Sequence, residues 1–341
     1  MANAPISKDP TSFDAIDAEL ETILTSFDTS YVWNYGNVKE GLHDLYEKSK
    51  REQWNGSELL DWSTNVDADT EILPAAINPL ADYGPFKKLS EKEATFFGRA
   101  SLSWQLSQFM HGEQGALITA SQLVGAVPWM DAKYYASTQT IDEARHVEVF
   151  SRYLHEKLDG EWPINPNLKS LLDMILKDSR WDFKYLGMQI LVEGLAMAAF
   201  ANLYNMATEP LLKDLIYNVM RDESRHVAFG VLSLKGYYDD MEANELRDRE
   251  DFVIEASLLM RDRLIGTEVA DVVGFDRKEY YDIMKASPIM VAFRQSLFAR
   301  VVPNIKKLGL MTPRVRAAFE DMQIIHFEDV DSEAEDRALG L

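Results

Sequence analysis

Apolar residues recur at intervals of three and four along most of the chain, the period of amphipathic helices, and no segment shows the two-residue alternation of a strand. The pattern predicts helices over 12–28 and 38–54. A stretch from Trp54 to Gly84 then breaks the period; it is long for a loop and is expected to pack on the body. Four long helices follow. Ser90 and Glu93 make a capping box that starts the first, and Pro128 stops it near Val127. The second covers about 130–158, with Gly160 and Pro163 behind it. A shorter helix over 167–178 bridges to the third, over 181–208, and Pro210 opens the fourth, expected to reach Asp240. Three or four further helices are expected beyond it, broken near Gly274, Pro288, Pro303 and Pro313. The acidic end, FEDVDSEAEDRALGL, reads as a frayed tail. The fold class is therefore all-α: a lead-in over 1–89, a four-helix core over 90–240, C-terminal helices over 241–325 and a tail over 326–341, expected to form one domain.

Two of these helices carry an acidic residue inside the apolar stripe. Glu113 shares its face with Leu106, Phe109, Met110, Leu117 and Ala120; Glu193 shares its face with Leu186, Ile190, Ala196, Met197 and Phe200. A buried carboxylate without a partner costs several kcal/mol or takes up a proton, so a cation shared between carboxylates is the economical solution. The chain supplies the rest of such a site twice. Thirty residues after each lone Glu comes Glu-x-x-His: Glu143 with His146, and Glu223 with His226, the whole set repeating at a spacing of 80. Residues three apart share a helix face, so each pair can reach one ion. Four carboxylates and two imidazoles are the ligand set of a dinuclear centre inside a helical bundle.

Around the ligands both motifs read Asp-Glu-x-Arg-His. Asp142 is expected to accept from His226 and Asp222 from His146, across the bundle, with Arg145 and Arg225 pairing the aspartates. Oxygen and nitrogen donors without sulfur suit iron or manganese. The chain has no cysteine, which excludes thiolate sites and iron–sulfur clusters, and it shows no glycine-rich phosphate loop.

A net charge of -21 argues against nucleic acid and anionic membranes as partners. The start lacks an apolar signal region, and no run approaches the roughly 18 apolar residues of a bilayer span, so a cytoplasmic protein is expected.

These residues resemble those of the ferritin-like diiron-carboxylate superfamily, in particular the ribonucleotide reductase small subunits, their ligand-binding oxidase relatives and the bacterial multicomponent monooxygenase hydroxylases. LYEKSKREQWNGSELLDW is similar to the lead-in of the reductase-like branch. The resemblance spans about residues 38–240. It implies a ferritin-like bundle, two iron ions, dioxygen as co-substrate and a homodimer.

The sequence departs from each relative in turn. Phe150 stands where radical-generating subunits carry a tyrosine, and no tyrosine follows Tyr281 in the tail. Gly115 and Met188 stand at the positions of the oxidases' Val–Tyr crosslink. Met197 replaces the hydroxylases' threonine, and Val219 the arylamine oxygenases' seventh ligand. The resemblance therefore implies an oxygenase or oxidase with six protein ligands, acting on a small, largely apolar organic substrate. Its electrons, where turnover needs them, come from an external donor. Leu106, Phe109, Met110, Phe150, Gln189, Met197 and Phe200 are expected around the substrate. The alternative is a manganese–iron or diiron ligand-binding oxidase, or a reductase-like subunit without a tyrosyl radical.

Overall fold

The computed structural model describes residues 20–67, 72–73 and 78–341. Among them there is no strand. Helix α1 runs Glu40–Arg51, and a single helical turn, Gly56–Leu59, follows it. The capping box forms as expected, with the Glu93 carboxylate accepting from the Ser90 amide at 2.8 Å, and it opens α2, Glu91–Ala126. Trp129 precedes α3, Met130–Lys157. Helix α4, Pro166–Lys177, begins with its proline where the missing N–H costs nothing. Helix α5 spans Trp181–Met206 and α6 spans Pro210–Leu234.

Short connections make α2/α3 and α5/α6 antiparallel pairs. The pairs pack face to face, and α1 lies across α3 and α6, the two helices that carry Glu-x-x-His. Helix α7, Ala243–Asp262, closes one flank against α4 and α5. Helices α8 (Arg277–Ala286), α9 (Pro288–Ser296), α10 (Val301–Lys307), α11 (Pro313–Asp321) and α12 (Ser332–Leu339) complete the chain. One continuous apolar core runs from Leu42 to Ile324.

Four expectations are corrected. The predicted helix over 12–28 is not formed in its described part, and 12–19 lie outside the described residues. Leu20 and Leu24 stay exposed, so no apolar stripe is buried there to stabilise a helix. Helix α6 stops at Leu234 rather than reaching Asp240, because Gly236 turns the chain through φ 74°. The helices break at Pro288 and Pro313 as expected, each proline opening the next helix, but not at Pro303, which sits inside the first turn of α10, where a proline leaves no intrahelical bond unmade. The acidic end is not frayed: Asp331 caps α12, Asp336 pairs with Arg300, and Ser332 is buried.

Helix α5 is apolar and long enough to cross a bilayer by length and composition, although Asp182, Lys184 and Glu193 interrupt its apolar residues. It is instead the core helix of the bundle, almost wholly enclosed by its neighbours, with Glu193 at its middle.

Candidate metal centre

The α5 backbone is not α-helical throughout. From Leu186 to Val192 it widens into π geometry, and the Glu193 amide reaches back five residues to the Met188 carbonyl. Such a bulge shifts by one position which side chains face the bundle axis, and it is frequent at functional sites. Gly230 of α6 lets the two helices close at this point: a Cβ there would lie 2.6 Å from Cβ of Gln189.

All six sequence-predicted ligands meet on the bundle axis. Ligand atoms of Glu113, Glu143, His146 and Glu223 lie within 4.8 Å of one another, and so do those of Glu143, Glu193 and His226. Each of the six side chains is buried. Nδ1 of His146 is 3.3 Å from Glu113, 3.4 Å from Glu143 and 3.1 Å from Glu223; Nδ1 of His226 is 3.1 Å from Glu143 and 3.5 Å from Glu223. Oxygens of Glu143, Glu193 and Glu223 have no hydrogen-bond partner although fully enclosed. Buried polar atoms are almost always paired, so a cluster of orphaned acceptors facing one point is the signature of a cation's place.

The outer faces of the imidazoles turn to the aspartates. Nε2 of His146 lies 3.1 Å from Asp222, and Nε2 of His226 lies 3.3 Å from Asp142. A proton held on Nε2 by its aspartate leaves the Nδ1 lone pair free for a metal. Arg145 donates to Asp142 at 2.5 Å and to Asp222 at 2.9 Å, and Arg225 pairs with Asp222.

Sequence reasoning missed several members. Gln139, one turn before Glu143, donates from one amide nitrogen to Glu143 and Glu193, both at 2.9 Å. Its four-residue spacing from Glu143 was a usable signal. Gln53 donates to Asp142 and the Trp54 indole to Asp222, each at 2.8 Å, while Glu52 accepts from Arg225 at 2.8 Å. These three follow α1 directly and tie it to the aspartates and to Arg225.

Of the residues expected around a substrate, Phe109 lines a narrow cleft that reaches Glu113, Glu193 and Glu223. Phe200 packs edge-on against Phe109 at 4.8 Å, and Phe150 stacks on Phe200 at 5.9 Å. Leu106, Met110 and Met197 are buried in the surrounding core. The Gln189 amide donates to Gln139 at 3.3 Å rather than to a ligand. Gly115 turns toward α4, where a Cβ would lie 2.5 Å from the Leu172 side chain.

The electrostatics follow from burial. Burial, and next the charge of Glu223, push the Glu113 and Glu193 carboxyls well above the usual range. Burial opposes ionisation of Glu143 as well, but the His226 charge and hydrogen bonds from both imidazoles hold it below that range. Asp222 is also held low, burial being outweighed by the His146 hydrogen bond and the His146, Arg225 and Arg145 charges. Both imidazoles are raised well above their ordinary value against burial. His146 is raised by hydrogen bonds to Asp222, Glu113, Glu143 and Glu223, and His226 by the charges of Glu143 and Glu223. In the metal-free centre, protons occupy the groups that a metal would take.

No protein-family model matches the chain, and no curated protein matches it. Solved structures do. An R2-like ligand-binding oxidase, a valine-to-isoleucine mutant with an anaerobically reconstituted Mn/Fe cofactor, aligns with TM-score 0.51 and 19% identity over 78% of this chain and 92% of that one. The dimanganese(II)-NrdF of Streptococcus sanguinis aligns with TM-score 0.53 and 14% identity over 86% of this chain and 99% of that one. The bundle order, the buried Glu/His cluster and these alignments together give the chain the ferritin-like fold of the R2-like oxidases and ribonucleotide reductase small subunits.

Proposed function

We propose that the chain is a non-haem oxidoreductase that binds two iron ions in this centre and uses dioxygen on a small organic substrate. The supporting observation is the charge at the bundle axis. Six buried carboxylates (Glu113, Glu143, Glu193, Glu223, Asp142 and Asp222) face two buried guanidiniums, Arg145 and Arg225. The excess of four negative charges is what two divalent cations neutralise, and protons are the costly substitute.

Glu113 and His146 would hold one ion, and Glu193 and His226 the other, with Glu143 and Glu223 available to both because each lies within reach of both imidazoles. The manganese-bearing cofactors of the aligned structures make manganese–iron the alternative pair, which elemental analysis separates.

When bound, the metal pair supplies the Lewis acidity and electrons with which dioxygen is reduced. The chain's own residues do the rest. Asp142 and Asp222 fix the imidazole rings and hold a proton on each Nε2, so that Nδ1 is the nitrogen turned to the metals. Gln139 ties Glu143 to Glu193 and orients both. The Phe109, Phe150 and Phe200 rings exclude water from the α2 side of the centre. Electrons for repeated turnover come from an external donor.

The test is anaerobic loading with ferrous iron followed by admission of oxygen. Two irons per chain and an oxygen-dependent absorption change are expected, and Glu193→Ala is expected to lose that change while its helical content survives. Wild type that takes up no more than one ion per chain refutes the dimetal reading.

A further inference from the structure

Seven arginines are buried, and six of them donate at least one hydrogen bond. Arg263 is the exception. It follows the last residue of α7, is 3% exposed, and its Nε and Nη1 have no partner. Among the described residues no carboxylate pairs with it. A buried cation left alone is expensive, so its position calls for an anion.

Arg263 lines the cleft that ends on Glu113, Glu193 and Glu223. The neighbouring walls are small side chains: Gly112 and Ala116 of α2, Val192 and Ala196 of α5. A Cβ on Gly112 would meet nothing within 4 Å. The cleft holds about 10 Å³, the room of one water, so a larger occupant enters by parting these helices' side chains. The charge that Arg263 feels is that of Glu113. Two metal ions would take that charge up and leave the guanidinium uncompensated beside them. A guanidinium presents paired donors that match a carboxylate.

We infer that Arg263 receives a carboxylate of the substrate, which is therefore a small organic acid with its apolar part between α2 and α5; this rests on the dimetal reading above. The largely apolar substrate expected from sequence gains one anionic end.

The test compares hexanoate with hexanamide, nearly equal in shape and different in charge, by calorimetry on manganese(II)-loaded protein under nitrogen. Wild type is expected to bind the acid at least tenfold more tightly than the amide. R263Q is expected to lose that preference and R263K to weaken it severalfold, with two manganese ions per chain retained throughout. Equal binding of acid and amide in wild type overturns the inference. So does no binding of hexanoate at millimolar concentration. An undiminished preference in R263Q also overturns it, because the metals and not Arg263 would then hold the acid. Should R263Q fail to fold, an unchanged preference in R263K is decisive against it. Fewer than two manganese ions in wild type instead defeats the dimetal reading, and the same probe pair on metal-free protein then still reports on Arg263.

Discussion

Glu193→Gln reverses its effect on stability with metal content. In the metal-free protein Glu193 is buried and held well above the usual carboxylate range, by burial and then by Glu223 and Glu143. A carboxyl raised on folding destabilises the fold once pH exceeds its unfolded value, and the penalty grows with pH until the folded value is passed. With an unfolded value of about 4.3, the penalty is about 1 kcal/mol at pH 5 and at most about 3.7 kcal/mol at pH 7. Glutamine carries no such penalty, and its carbonyl still accepts from Gln139, as Glu193 does at 2.9 Å.

Metal-free Glu193→Gln is therefore expected to be more stable than wild type in urea, by up to about 3.7 kcal/mol at pH 7 and by about a quarter of that at pH 5. With two metal ions bound the order inverts, because wild type gains the binding free energy that the variant has lost. The measurement is the urea midpoint and slope of both proteins, with and without metal, at the two pH values. A variant less stable than metal-free wild type by the same amount at both pH values refutes the reasoning, since Glu193 would then be a satisfied structural residue.

Other outcomes follow from the same geometry. Asp222→Asn removes the negative charge that faces His146, Trp54, Arg145 and Arg225 and turns one acceptor oxygen into a donor; it is expected to cost about 3–5 kcal/mol of stability and 10–100-fold in metal affinity, read by denaturation and metal titration. Metal uptake must displace protons from Glu113, Glu193, His146 and His226, all raised in the metal-free state, so affinity should fall as pH drops from 7 to 5. Loading in weak buffer should release protons, and uptake without release contradicts that protonation pattern. Gly230→Ala sets a Cβ 2.6 Å from Gln189 and is expected to lose about 1–3 kcal/mol, seen as a lower midpoint in thermal melting.

The long helices were legible because their apolar periods are long and their stops are local: Ser90 with Glu93, Pro128 and Pro210 act within a few residues of the ends they set. The first helix was misread because Leu20 and Leu24 have helical spacing but no surface to cover, which no local pattern reveals. The tail was misread for the opposite reason: Arg300, far away in the chain, pairs with Asp336 and holds acid that looked merely solvated. The candidate ligand set is conspicuous because it is written twice. Arg263 has no counterpart in that repeat, and the Gln53 and Trp54 contacts belong to the lead-in rather than to the bundle.

Sequence alone determined the helical class and set Glu113 and Glu193 on apolar helix faces. Both follow from periodicity and from the cost of burying charge. Tertiary structure alone decided that the two half-sites converge on one axis with Glu143 and Glu223 between both imidazoles. It also decided that α5 widens ahead of Glu193, and that a guanidinium is left unpaired at the mouth of the site. Those features depend on how separate helices approach one another, which no single helix's pattern contains.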